Sequence, residues 1–176
     1  MQFFLILFTI LALMFTLIAV HEMGHYLAGL TAGIPASDMR IRLFTFPQHV
    51  ALRDGNEWLS PIADIEHYVN VSRRYLSTRG AAFRWVAGGM VVETTFTSLV
   101  CVTAFLSGWT FIVFWTAAIS LGMYLINVLL MDIPWALVRG HAFGDTSGLW
   151  TIAKLPAALL TILMLIVRIF LVWYAA

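Results

Sequence analysis

Hydrophobic positions divide the chain into long uncharged runs, separated by one polar interval. Residues 2–20, QFFLILFTILALMFTLIAV, carry no charged side chain. A run of this length suits a helix that crosses a bilayer. The pattern continues through a few polar residues to 31, after which Gly33 and Pro35 stop it. A second apolar helix is expected over 81–106 and a third over 109–131, joined by the short turn Ser107-Gly108. A fourth is expected over 155–175, with Pro156 in its first turn. The interval between helices one and two has a different period. Met39-Arg40-Ile41-Arg42-Leu43 alternates as a strand does and runs on to Phe46, where Pro47-Gln48 breaks it. His49 to Arg53 reads as a second strand, Asp54-Gly55 as a turn and Asn56 to Leu59 as a third strand. Residues 63–78 suit a helix with Ile65, Tyr68, Val69, Tyr75 and Leu76 on its apolar side and Arg73, Arg74 and Arg79 placed for lipid phosphates. The expected fold is an all-α polytopic membrane protein forming one membrane-embedded domain over 1–176. It has four transmembrane helices, with a small membrane-surface β-hairpin or sheet and an interfacial helix between helices one and two.

Composition strengthens this picture. The chain is 61% hydrophobic and 11% charged, against about 45–50% and about 25% in soluble domains. The lipid bilayer is therefore an expected partner. A net charge of +1 gives no electrostatic footprint for nucleic acid, which is not expected as a partner. Cys101 is the one cysteine, which rules out an internal disulfide and a cysteine-based zinc site. The first run lacks a basic leader and exceeds the hydrophobic stretch of a signal peptide, so it is expected to be a retained helix. Seven arginines lie between Arg40 and Arg84, Arg139 and Lys154 lie between helices three and four, and the 107–108 turn has neither Lys nor Arg. The positive-inside rule puts both longer loops in the cytoplasm and both termini outside.

The chemistry is concentrated in His21-Glu22-Met23-Gly24-His25, at the end of the first apolar run. Residues four apart on a helix face the same way, so the two imidazoles can hold one zinc ion, and Glu22 lies beside them to take a proton from a water. Ionisable residues inside an apolar helix are costly, about 2.5–3.5 kcal/mol on insertion scales, and usually mark function. Polar residues at a helix end can also be simple caps, but three in ligand spacing fit that explanation poorly. With this orientation His25 lies about 9 Å from the cytoplasmic end of the helix at 1.5 Å per residue. A catalytic zinc needs a third protein ligand and an open position. Asp132, His141 and Asp145 are the candidates near the same membrane face. Asn127 adds a primary amide in an apolar run, where an interhelical hydrogen bond is the common role. Glu93 falls near the middle of helix two, where a neutral carboxyl hydrogen-bonded to another helix is expected.

With these parts in order, the chain resembles the site-2 protease family of intramembrane zinc metalloproteases. The resemblance runs over roughly residues 5–150. It rests on His21-Glu22-Met23-Gly24-His25, the strand-rich loop, Ala87-Gly88-Gly89 at the start of the next helix, and Asn127 followed by an aspartate. It implies zinc on His21, His25 and Asp145, Glu22 as general base and Asn127 at the substrate or oxyanion. The chain differs in having Gly89 where the family usually has proline, and only Pro134 between Asn127 and Asp145. Locally, Gly144 lets the chain turn toward the membrane, and Thr146, Ser147 and Gly148 are small enough for the Asp145 carboxylate to approach a buried metal. The expected activity is hydrolysis of a peptide bond in or near a transmembrane segment of a protein substrate. Arg40, Ile41, Arg42 and Leu43 would hold that segment as an added strand. A bacterial or archaeal cytoplasmic membrane is the expected location, with the active site toward the cytoplasm. A membrane regulator or a second copy of the chain is a further partner this allows. Two other readings are a catalytically silent adaptor of the same fold and a membrane zincin of another family that acts at the surface.

Overall fold

The computed structural model describes residues 2–176. Four helices are long and apolar enough to cross a membrane: Gln2–Ala32, Arg79–Leu106, Thr110–Arg139 and Lys154–Ala175. The first is α1 (Gln2–Ala32). It ends at Gly33, whose φ of 97° is left-handed backbone that glycine adopts without strain.

A three-stranded antiparallel sheet follows, ordered β1 (Met39–Arg42), β2 (His49–Asp54) and β3 (Glu57–Leu59). Ile41 pairs with Val50 and Met39 with Leu52, while Leu52 pairs with Leu59. Strand alternation then puts Met39, Val50 and Leu52 into one buried cluster with Ile34, Tyr68, Val71 and Trp85. On the opposite face Arg40 lies over the Trp58 ring at 4.8 Å. β1 stops at Arg42, short of the expected Phe46, because its partner strand begins only at His49. The connection carries exposed Phe44, whose ring lies 6.0 Å from that of Phe15 on α1.

The interfacial helix α2 (Ile65–Tyr75) is shorter than 63–78. Asp64 caps it by accepting from His67 N at 2.9 Å. Three side chains tie it to the sheet. The Tyr68 hydroxyl donates to Val50 O at 2.6 Å, and Arg74 and His67 both reach the Asp54 carboxylate, at 2.7 and 2.9 Å. Those two hydrogen bonds hold the Asp54 carboxyl below its usual range.

The remaining helices are α3 (Arg79–Leu106), α4 (Thr110–Leu125), a π-helical stretch Ile126–Asp132, α5 (Ile133–Arg139), α6 (Asp145–Ile152) and α7 (Lys154–Ala175). The third long helix does not end at 131 as expected. Pro134 sits in the first turn of α5, where its missing N–H is tolerated, and helical backbone runs to Gly140, at φ 71°. The interval between the third and fourth expected helices therefore contains α5 and α6. The short helix α6 is anchored by Leu149, which is fully buried.

The side-chain distribution is inverted relative to a soluble protein. Phe4 is 72% exposed, whereas Arg168 is completely buried. This suits a hydrocarbon surrounding. Arg168 on α7 pairs with Glu93 on α3, donates to Ser120 Oγ at 3.1 Å and lies 4.4 Å over the Tyr124 ring. Ser120 in turn donates to Glu93 at 2.6 Å. The expected neutral hydrogen bond for Glu93 is thus corrected to an ion pair. Its partner stands 75 residues away, where no local pattern reveals it.

The two halves of this pair are not equivalent. A carboxyl left alone can take up a proton, while a guanidinium cannot lose one. Glu93→Gln should therefore lower stability in detergent by about 3–5 kcal/mol. Arg168→Met should cost less, and the double variant should recover most of the loss. Thermal unfolding of the three variants checks the order, and an equal loss from both single variants would contradict it.

Candidate metal centre

The centre is built on the contact between α1 and α3, which is a glycine seam. A Cβ on Gly24 would lie 2.9 Å from Gly89 Cα, and one on Gly88 would lie 2.6 Å from Gly24 O. The backbones can meet this closely only where no side chain intervenes. Both ring-bearing positions of the His-Glu-x-x-His segment face this seam. A Cβ on Gly89 would lie 2.6 Å from His21 Nε2 and would overlap His25 Nε2. Glycine at 89, where the related pattern has proline, thus keeps space open at the two ring nitrogens.

The third element is the N-terminus of α6. Asp145 Oδ2 lies 2.9 Å from His21 Nε2 and 3.1 Å from His25 Nε2, and the two ring nitrogens are 3.2 Å apart. These three atoms form a nearly equilateral triangle. Its edges are slightly shorter than the edge of about 3.3 Å expected between donors at about 2.0–2.1 Å from a tetrahedral zinc. His25 Nδ1 lies 3.0 Å from Trp85 O. A carbonyl can only accept, so Nδ1 carries the proton and Nε2 presents its lone pair to the triangle. Two imidazole nitrogens and a carboxylate oxygen facing one point could hold a metal ion between them. The donor set is therefore suited to zinc by chemistry and by spacing, and His21, His25 and Asp145 are the residues that would hold it.

The remaining expected site residues fall in distinct places. Glu22 is buried and makes no side-chain hydrogen bond or ion pair among the described residues. It stands next to the three converging donors without a protein partner. Asn127 lies on the π-helical stretch, is exposed, and has no hydrogen bond that ties it to the histidines. His141 is exposed and bonds only Ala142 O. Asp132, expected as a possible ligand or helix end, is 1% exposed and accepts backbone N–H groups on either side of Asp145. Arg40 and Arg42 occupy the face of β1 opposite the core, whereas Ile41 packs against the buried cluster. Leu43 lies beyond the strand, so the expected four-residue substrate strand loses its last member. Two contributors had no side-chain signature in the sequence: the Trp85 carbonyl and the space at Gly89.

No family profile, no curated protein and no solved structure matches this chain.

A methyl group at position 89 should block the metal position. Gly89→Ala should lose most bound zinc in metal analysis while keeping its helix content. Gly122→Ala, where a Cβ meets nothing within 4 Å, should keep the metal. Equal zinc in both variants would mean that the triangle is not where the metal sits.

Proposed function

We propose that the chain is an intramembrane zinc endopeptidase of the site-2 protease type. The observation that carries this reading is the convergence of His21 Nε2 and His25 Nε2 from α1 with Asp145 Oδ2 from α6, beside buried Glu22 and directly after a run without charged side chains. His21, His25 and Asp145 would hold the zinc, which would supply a Lewis acid and lower the pKa of a water at the site. Glu22 takes the proton from the attacking water and later passes it to the departing amine. Trp85 O fixes the His25 ring so that it cannot rotate its lone pair away. The side chains of the three donors are between 13% and 26% exposed. They are thus largely enclosed by the bundle yet not sealed off, which supports access by water and an unwound peptide.

The substrate is a transmembrane segment of another protein. A helical peptide bond is shielded by its own backbone, so the segment must open before it is cut. β1 is an edge strand whose Arg40 and Arg42 side chains lie away from the core, which supports docking of the opened segment by strand addition. The arginines between the first two spans support a cytoplasmic active site.

Glu22→Gln preserves the shape of the side chain and removes the base. Zinc should stay bound, and cleavage of a transmembrane reporter should fall about 10²–10⁴-fold. Undiminished cleavage by this variant would end the proposed mechanism. Orientation is tested separately with cysteines at exposed Asn56 and Ser107. An impermeant thiol reagent should reach position 56 only from the cytoplasmic side and position 107 only from the other. The opposite pattern would place the site at the other leaflet.

A further inference from the structure

Asp132 stands at the end of the π-helical stretch, 1% exposed, with a carboxylate that touches neither histidine. Its oxygens are taken up elsewhere. Oδ1 accepts from Gly144 N at 3.0 Å and Oδ2 accepts from Ser147 N at 2.9 Å. Those two amides flank Asp145. They are also among the N–H groups that a helix leaves unpaired in its first turn. The residue that would ordinarily cap α6 from within the chain is Gly144, which has no side chain to do so. A cap is therefore provided from another helix. The approach is close enough that a Cβ on Gly144 would lie 2.8 Å from Asp132 Cγ. At φ −128° the backbone of Gly144 is ordinary, so glycine serves there for space and not for conformation. Ser147 Oγ completes the turn by accepting from Phe143 N at 2.9 Å and Gly144 N at 3.2 Å.

We infer that Asp132 is a positioning residue for the metal centre: its buried carboxylate clamps the first turn of α6 and thereby sets where Asp145 Oδ2 meets His21 and His25. The inference rests on the metal reading of those three residues. Charge-assisted bonds to backbone amides are stronger than neutral ones, and a carboxylate at a helix N-terminus also faces the favourable end of the helix dipole. The clamp acts at one end of α6, and buried Leu149 holds the other. Between them Asp145 has little freedom to swing away from the histidines. Asp132 therefore transmits the position of the third long helix to the metal without touching the metal. It also links α6 to the stretch that carries Asn127.

The test is zinc affinity, measured by competition with a chelator on full-length protein in detergent, alongside amide hydrogen exchange at Gly144 and Ser147. Loss of an outer-shell partner typically weakens metal binding about 10–100-fold. Asp132→Ala should show a loss of that size and faster exchange at both amides. Asp132→Asn keeps one acceptor oxygen and should fall between Asp132→Ala and the unaltered protein, which also covers the case in which Asp132→Ala does not fold. Because Asp132 acts through Asp145, Asp132→Ala/Asp145→Ala should bind zinc no more weakly than Asp145→Ala alone. A further loss in the double variant would make Asp132 a ligand or a general support and overturn the inference. Unaltered affinity in both Asp132 variants would overturn it while leaving the metallopeptidase reading intact. Failure of the unaltered protein to take up zinc would remove that reading and this inference together.

Discussion

The close approach of α1 to α3 is the constraint on which the centre depends. Side chains would ordinarily hold two helices about 8–10 Å apart. Here Gly24, Gly88 and Gly89 remove them at one level of the bundle, and that level is the one that carries His21 and His25. Two consequences follow from the same absence of atoms. The Trp85 carbonyl can reach His25 Nδ1, which orients the ring, and no side chain at position 89 crowds the two Nε2 atoms. A seam of larger residues would pack as well, but it would fill the space the chemistry needs.

The centre then draws on parts of the chain that lie far apart. The histidines come from α1, the carbonyl from α3 and the carboxylate from α6, and Asp145 lies 124 residues from His21. Each of the distant parts is held by an independent anchor: Tyr68 stacked on Trp85 at 5.9 Å on one side, and the Asp132 clamp with Leu149 on the other. The small sheet contributes to the first of these, because Met39, Val50 and Leu52 share the buried cluster that holds Tyr68 and Trp85. It is joined to the centre through packing as well as through its place beside α1.

The features that were legible in the sequence are those with a local signature. Long apolar runs reveal the four long helices because length alone decides them, and His21, Glu22 and His25 stand out because four-residue spacing on a helix is local geometry. The turn at Asp54-Gly55 and the alternation around Met39 to Arg42 made the sheet readable, though not where β1 stops. The illegible features are those fixed only by tertiary contact. The cap that α6 receives from another helix is one: Asp132 lies 15 residues before Ser147 and has no local sign of that role. The small residues around Asp145 set it apart from Asp132 in the sequence, but nothing local shows that Asp132 faces backbone amides at the start of α6. Glu93 was seen without its partner because nothing in the run around Arg168 points to it.

The buried pair of Glu93 and Arg168 also bears on how the protein is made. The carboxylate is synthesised 75 residues before the guanidinium. Until the last helix is made, Glu93 lacks the cation it pairs with in the folded bundle. Arginine keeps its charge throughout, so α7 can settle among apolar helices only with that carboxylate beside it. Completion of the bundle is thereby coupled to a single electrostatic contact. A chain whose α7 is misaligned by one turn would leave Arg168 without Glu93.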